Sequence, residues 1–171
     1  FILHRYMNGA FYNTGLLPLS AERVPRAFAA RSYILAYAQV SPDGRSVAYN
    51  ANDSGRFEVF IESFPAPGGR RQVSTDGGVH PRWRRDGREL YYYAPDGRLM
   101  AAPIASGADS RVGMPVPLFQ ARLLGGPAVA VGVLAQYDVA ADGRFLLNVP
   151  LTAATPPVIH VALNGAVVAK R

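Results

Sequence analysis

Three histidines are the residues in this chain of 171 amino acids with the strongest potential for metal chemistry. Three imidazoles can bind zinc and leave a fourth position open for the water molecule of a hydrolytic site. His4, His80 and His160 form no local motif, because each stands at a different point of the repeat described below. We therefore expect no cofactor. A zinc-dependent hydrolase that uses these histidines, in a channel or at a subunit seam, is the alternative.

Most aspartates stand beside glycine in sequences that favour tight turns. The tripeptide Asp-Gly-Arg starts at Asp43, Asp86, Asp96 and Asp142. Aspartate at such a position accepts hydrogen bonds from backbone N–H groups and stabilises the turn. Asp138 differs, because it lies inside a strand segment and is predicted to be an isolated polar residue of a channel wall. No second carboxylate accompanies it at a spacing suited to acid–base catalysis.

No catalytic motif accompanies these residues in the sequence. The serines lack the Gly-x-Ser-x-Gly context of a nucleophile elbow, and the chain has neither a phosphate-binding loop nor a dinucleotide-binding fingerprint. The absence of cysteine excludes disulfides and thiolate metal sites. We assign no catalytic residue. The sequence favours a protein that is not an enzyme, with the hydrolase as the alternative.

The densest basic segment is Arg82-Trp83-Arg84-Arg85. Basic residues interleaved with an aromatic ring can bind single-stranded nucleic acid, but Trp83 stands at the repeat's aromatic core position, which disfavours that function. The net charge of +6 favours an anionic partner, either a protein surface or a small ligand. The candidate binding residues are His80, Arg82, Arg84 and Asp138.

Three of the Asp-Gly-Arg tripeptides lie in matching contexts, 43 and 56 residues apart at Asp43, Asp86 and Asp142. A period of roughly 45 residues is typical of a four-stranded propeller blade. Asp-Gly supplies the positive φ of a hairpin turn, and β-branched and aromatic residues flank it. No segment shows a helical period. We predict one all-β domain over residues 1–171, with about three and a half four-stranded antiparallel blades.

The incomplete blade is predicted at the N-terminal end. Its second, third and fourth strands match Ile2–Arg5, Leu16–Ser20 and Pro25–Phe28, so its innermost strand would precede Phe1. The alignment of the repeats also places Val40, Trp83 and Val139 at equivalent buried positions. The chain is therefore expected to be a fragment of a longer protein.

Three segments identify a family resemblance: SPDGRSVAY, DSGRFEVFIESFP and HPRWRRDGRELYYYAPDGRLM. They resemble the Pro-Asp-Gly repeats of TolB-like bacterial β-propellers, most closely the propeller regions that follow bacterial serine/threonine kinase domains. The chain departs from that pattern at Arg85 and Ala141, where the proline is lost. The resemblance implies a C-terminal fragment in a periplasmic or extracytoplasmic setting. It also implies a fold that binds proteins or ligands and has no shared catalytic residues.

These observations together favour a non-catalytic binding or scaffold module that engages a protein or ligand through the channel mouth or rim. Fewer than four blades would leave open strand edges, which favour pairing with another chain. We therefore expect a homo-oligomer, in which two copies complete one propeller. No run of 18 apolar residues occurs, so no membrane insertion is predicted.

Overall fold

The residues that the structure describes form four antiparallel β-sheets, one after another along the chain. This computed structural model describes residues 2–8, 11–19, 23–29, 31–105, 111–126, 135–150, 160–163 and 166–167. Each sheet is built from strands that are consecutive in the chain, so each is one meander of the kind that forms a propeller blade. Within these ranges no helix is long and apolar enough to cross a membrane.

The first sheet has three strands and the other three have four. The first sheet contains β1 (Ile2–Asn8), β2 (Phe11–Leu17) and β3 (Arg26–Ala27). The second contains β4 (Leu35–Val40), β5 (Ser46–Ala51), β6 (Glu58–Ser63) and β7 (Arg71–Gln72). The third contains β8 (Val79–Trp83), β9 (Glu89–Tyr93), β10 (Arg98–Pro103) and β11 (Val116–Gln120). The fourth contains β12 (Tyr137–Val139), β13 (Phe145–Leu147), β14 (His160–Leu163) and β15 (Ala166–Val167). The all-β prediction and the partial propeller are thus confirmed.

The first strands of the last three sheets, β4, β8 and β12, contact one another from sheet to sheet. They therefore form the inner side of the arc, and we call these three strands the inner arc. The first sheet has no described counterpart of these strands, as the sequence predicted.

One strand of the first sheet lies earlier in the chain than predicted. The prediction centred it on the apolar run Leu16–Ser20, but β2 starts at Phe11 and pairs with β1 from Ile2↔Leu17 to Asn8↔Phe11. The reason is that the polar residues Asn13 and Thr14 are buried, at 0% and 5% exposure, so hydrophobicity alone does not mark the start of this strand.

The Asp-Gly-Arg turns share one hydrogen bond. In each, the aspartate Oδ1 accepts the backbone N–H of the arginine two positions on, at 3.0–3.2 Å, for Asp43, Asp86, Asp96 and Asp142. The glycine between them has a positive φ of 71–85°. The turn at Asp142 is nevertheless one residue shorter than the turn at Asp43, because its closing bond joins Ala140 N–H to Arg144 O rather than Ser41 N–H to Ser46 O.

Three apolar cores lie in the seams between adjacent sheets. Leu16 packs with Leu35 and Tyr49 between the first and second sheets. The other two cores join the second sheet to the third and the third to the fourth. Because a single blade leaves its faces uncovered, each seam supplies burial that neither neighbouring sheet has alone.

The predicted repeat equivalence of Val40, Trp83 and Val139 holds in strand pairing, but these predicted buried positions are buried only in part. They pair with Val47, Leu90 and Phe145 at the turn ends of their hairpins, and all three are only partly buried. Trp83 spans the second seam instead, where its Nε1 donates to the carbonyl oxygen of Gln39 at 3.0 Å. The indole of Trp83 can thus pack at the seam and satisfy its N–H while part of the ring stays exposed to solvent.

The connection from the second sheet to the third passes close beneath a neighbouring turn. Gly77 has φ +95°, and a Cβ added there would lie 2.6 Å from Pro95 Cγ. A cavity of about 290 Å³ opens beside this contact, with Phe57, Val79 and Tyr93 among its lining residues. Glycine is therefore required here both by conformation and by close approach.

Gly77→Ala is expected to destabilise the protein more than Gly55→Ala. Gly55 has a similar φ of +90° but nothing within 4 Å of an added Cβ, so it is a matched control for conformational strain alone. We expect about 1–2 kcal/mol of strain at both sites and a further loss of about 1–3 kcal/mol at Gly77 from the clash. Urea unfolding of both variants measures the difference. Equal losses would contradict the contact with Pro95.

Candidate functional site

Two strands of the inner arc carry the same backbone distortion. A β-bulge interrupts the pairing of β4 with β5 after Ala36, and another interrupts the pairing of β8 with β9 after Val79. In these bulges Tyr37 and His80 both have φ +55°, and each stands six residues before its turn aspartate. Non-glycine residues in this region are strained, and such strain clusters at functional sites.

His80 lies where three sheets meet. Its ring is 4.1 Å from the Tyr37 ring between centroids, in an edge-on arrangement. The backbone N–H of His80 donates to Asn50 Oδ1 at 3.4 Å, and its backbone carbonyl oxygen accepts a hydrogen bond from the Tyr137 hydroxyl at 2.8 Å. His80 is 0% exposed and lies inside β8 rather than ahead of the innermost strand, where the sequence placed it. Its structural role is therefore to position the inner arc.

Arg82 and Asp138 are brought together on adjacent inner strands. Arg82 Nε lies 3.6 Å from Asp138 Oδ1, but the two side chains differ in exposure, at 10% and 73%. Arg82 Nη1 also donates to Pro81 O at 2.9 Å, and its guanidinium lies 6.0 Å from the centre of the Tyr137 ring. Asp138 Oδ1 accepts the N–H of Val139 at 2.9 Å.

These two residues belong to one repeat position. Gln39, Arg82 and Asp138 each stand four residues before their turn aspartate, on β4, β8 and β12. We call these three residues the inner row. An amide, a guanidinium and a carboxylate thus occupy equivalent places on three neighbouring strands, which suits recognition of a polar partner.

Arg84, the fourth predicted binding residue, does not join the inner row. Strand β8 ends at Trp83, so Arg84 lies in the hairpin turn, where its side chain is 47% exposed. It pairs there with Glu89 at 3.1 Å and with Asp86 at 3.5 Å. Its charge is engaged by its own hairpin.

The three histidines lie on three different strand layers. His4 is on β1, which matches the second strands of the other sheets in the repeat, His80 is on an innermost strand, and His160 is on a third strand. The side chains of His4 and His160 fall outside the described residues, so the zinc alternative stays a prediction. Among the side chains that the structure describes, no three of His, Asp, Glu or Cys are grouped as metal ligands would be.

Two buried glutamates, which the sequence analysis did not identify, hold the connections around the site. Glu58 is 1% exposed, accepts the hydroxyl of Ser74 and the N–H of Gly77, and pairs with Arg56 at 2.6 Å. It thereby anchors the chain that leads into β8. The sequence signal was weak, because an alternating strand gives no sign that one polar residue faces inward.

Glu62 anchors the chain segment that leads into β4, at the seam between the first and second sheets. It is 4% exposed, and it accepts the Tyr49 hydroxyl at 2.8 Å and pairs with Arg31 at 3.0 Å. Burial, followed by the hydrogen bond to Glu62, raises the pKa of Tyr49 well above its usual value. The tyrosine therefore remains a neutral donor to this carboxylate.

A surface pair closes the same seam from outside. Arg70 donates to both carboxylate oxygens of Asp53, at 2.6 and 2.9 Å, while its guanidinium lies 3.6 Å above the Phe60 ring centre. The hydrogen bond from Arg70 holds the pKa of Asp53 below its usual value. A two-bond contact of this kind fixes geometry as well as charge.

Asp53→Asn is expected to lower the free energy of unfolding at pH 7. Because the folded-state pKa of Asp53 is lowered, its stabilisation is present above the unfolded pKa of about 4 and is lost as the pH falls. Unfolding of wild type and variant from pH 7 to pH 3 should therefore show a difference that narrows below about pH 4. Asp76→Asn, at an exposed position, is the control. A difference that is constant with pH would contradict the ionic contribution.

Comparison with known proteins bears on the fold alone. No family model and no curated protein matches the chain. The geometry above defines a partial β-propeller, and its fold is similar to the crystal structure of TolB from Acinetobacter baumannii. The TM-score is 0.66 at 14% sequence identity, over 97% of this chain. The chain spans 39% of the length of that TolB chain.

Proposed function

We propose that this chain is a non-catalytic binding module that engages a protein or ligand through its inner arc. The observation that carries the proposal is the pairing of Arg82 with Asp138 across adjacent inner strands, at 3.6 Å. Two chemically different charged groups are thereby presented side by side on β-strands, which position side chains more precisely than loops do.

The surroundings of this pair support a recognition role. Two residues before Arg82 in β8, the strained residue His80 is held by Asn50 and by Tyr137 from its two neighbouring sheets. Strained backbone persists only where the surrounding structure holds it firmly. A binding surface fixed in this way pays little ordering entropy when a partner docks.

The setting of the module is a second part of the proposal. The Pro-Asp-Gly repeats support a bacterial, extracytoplasmic propeller at the C-terminal end of a larger protein, of the kind that follows a kinase domain. The coding sequence upstream of Phe1 tests this directly. A kinase domain with a membrane span would support it, and a complete cytoplasmic reading frame that starts near Phe1 would contradict it.

Binding at the inner arc can be mapped by NMR with the ¹⁵N-labelled chain. Probes are capped hexapeptides of equal length, in which glycine alternates with glutamate, lysine or glutamine. At least one peptide is expected to shift amide signals of 36–40, 79–83 and 137–139, and Arg82→Gln should weaken that binding at least threefold. Arg98→Gln, which removes an exposed turn arginine, is the matched control. Shifts confined to the outer strands β7 and β11 would contradict the proposal.

We propose in addition that two copies associate through the inner edge of the first sheet. Among the described strands, β1 is the inner edge of the first sheet and pairs with β2 alone, whereas its counterparts in the repeat, β5, β9 and β13, each pair with a further described strand on their inner side. An unpaired strand edge favours pairing with another chain. Leu19, at 61% exposure, is available to such a contact, whereas Leu16, at 1%, is buried in the first seam.

Sedimentation velocity across a dilution series tests this association. A dimer that dissociates on dilution is expected, and Leu19→Asp should shift the equilibrium towards monomer. Leu118→Asp, at an exposed position on the outer strand β11, is the control for added charge. A monomer at all concentrations up to the millimolar range would show that β1 does not recruit a second copy.

A further inference from the structure

Arg82 and Asp138 are an unequal pair. The guanidinium side chain is 10% exposed, whereas its carboxylate partner is 73% exposed. The separation of 3.6 Å between Nε and Oδ1 exceeds the usual length of a charge-assisted hydrogen bond, which is about 2.7–2.9 Å. The carboxylate therefore stands near the arginine without closing on it.

Burial makes this loose contact significant for Arg82. A largely buried charge is stable only when it is well paired and hydrogen-bonded, because it has lost most of its water. Arg82 donates to Pro81 O and lies over the Tyr137 ring at 6.0 Å, but neither neighbour carries a negative charge. A carboxylate that could approach more closely would thus gain more from Arg82 than Asp138 does.

Asp138, in contrast, would lose little stabilising interaction if its side chain moved away from Arg82. Its side chain is mostly in water, and its Oδ1 accepts the N–H of Val139, a local bond that does not involve Arg82. Because this carboxylate is already largely hydrated, it needs little rearrangement to leave Arg82, and a competing carboxylate can displace it at small cost.

We propose that the partner of the inner arc is an acidic peptide segment, and that one of its carboxylates replaces Asp138 at Arg82. This inference rests on the proposed function and specifies the chemistry of that same site. Asp138 then acts as a placeholder, which partly satisfies Arg82 in the free protein and competes with the partner. A carboxylate can take two parallel bonds from a guanidinium, which Asp138 does not do from its position.

Two further features favour an acidic segment over a single small anion. The inner row continues from Arg82 to Gln39 on the neighbouring strand, so polar contacts extend beyond the reach of one carboxylate. The chain also carries a net charge of +6, which accelerates the approach of an acidic partner. A basic segment would meet this charge unfavourably, although it could bind Asp138 alone.

The proposal is tested by whether Asp138→Asn raises or lowers the affinity for an acidic peptide. Titration uses the capped glutamate–glycine hexapeptide, with the Arg82 Nε–Hε signal and the inner-arc amides as readouts, at constant ionic strength. Asp138→Asn removes the competitor, so affinity for this peptide is expected to rise about fivefold, while Arg82→Gln should abolish the binding. Asp96→Asn is the matched control, because Asp96 lies 3.5 Å from Arg98 in an exposed turn pair of similar length. It should change affinity by less than twofold.

The outcomes separate this proposal from the broader one. If the lysine–glycine peptide binds instead, and Asp138→Asn abolishes that binding, the inner arc is a binding site but Asp138 is a contact residue and the placeholder role is wrong. Weaker binding of the glutamate peptide to the Asp138→Asn variant would also show that the placeholder role is wrong.

If acetate at the same carboxylate concentration shifts the inner-arc signals as strongly as the peptide does, the partner is a small anion rather than a segment. If no peptide shifts these signals, the proposed function itself fails. Because Asp138 is exposed, its variant should fold even if Arg82→Gln does not.

Discussion

Each sheet of this protein has two faces to cover, and neither face can be covered from within its own sheet. The seams between sheets meet this requirement, and the rest of the structure follows from them. Leu35 and Tyr49 are completely buried although they lie in narrow sheets, because a neighbouring sheet packs against them. The buried glutamates Glu58 and Glu62 then fix the chain segments that lead into β8 and β4. Stability is thus shared between neighbours rather than held within a blade.

Packing sheets side by side brings their inner strands into contact, and the candidate site lies on these strands. The bulges at Tyr37 and His80 shift the strands past one another and bring their two rings into contact. The same register places Arg82 on one strand beside Asp138 on the next. A polar partner would therefore meet groups that are positioned by the architecture itself, which is consistent with a binding role that needs no catalytic residue.

Much of the fold could be predicted because the turns are determined by local sequence. Asp-Gly-Arg determines a local hydrogen bond and a positive φ, so Asp43 and Asp86 mark hairpins without knowledge of their surroundings. The start of β2 could not be read in this way, because Asn13 is buried by contacts that form only after folding. It exchanges hydrogen bonds with the backbone of Arg31, eighteen residues away.

The candidate site was predictable to the extent that it follows the repeat. Arg82 and Asp138 were identified separately, and their common distance from the turn aspartate explains why they meet. The position of Arg84 outside the inner row could not be predicted, because the sequence does not show that β8 ends at Trp83. The sequence does not predict the burial of His80, because that burial depends on contacts with Tyr37 and Tyr137, which are far from His80 in the chain.

The single tryptophan gives this architecture an optical signal of its own. Trp83 lies across the second seam, and its indole donates to the backbone of Gln39, a member of the inner row. Its fluorescence therefore depends on two sheets at once, and specifically on the strand that presents the inner row. Slippage between these sheets would expose the half-buried ring to water and shift its emission to longer wavelength. The protein thus carries an intrinsic spectroscopic reporter of the contact between its second and third sheets.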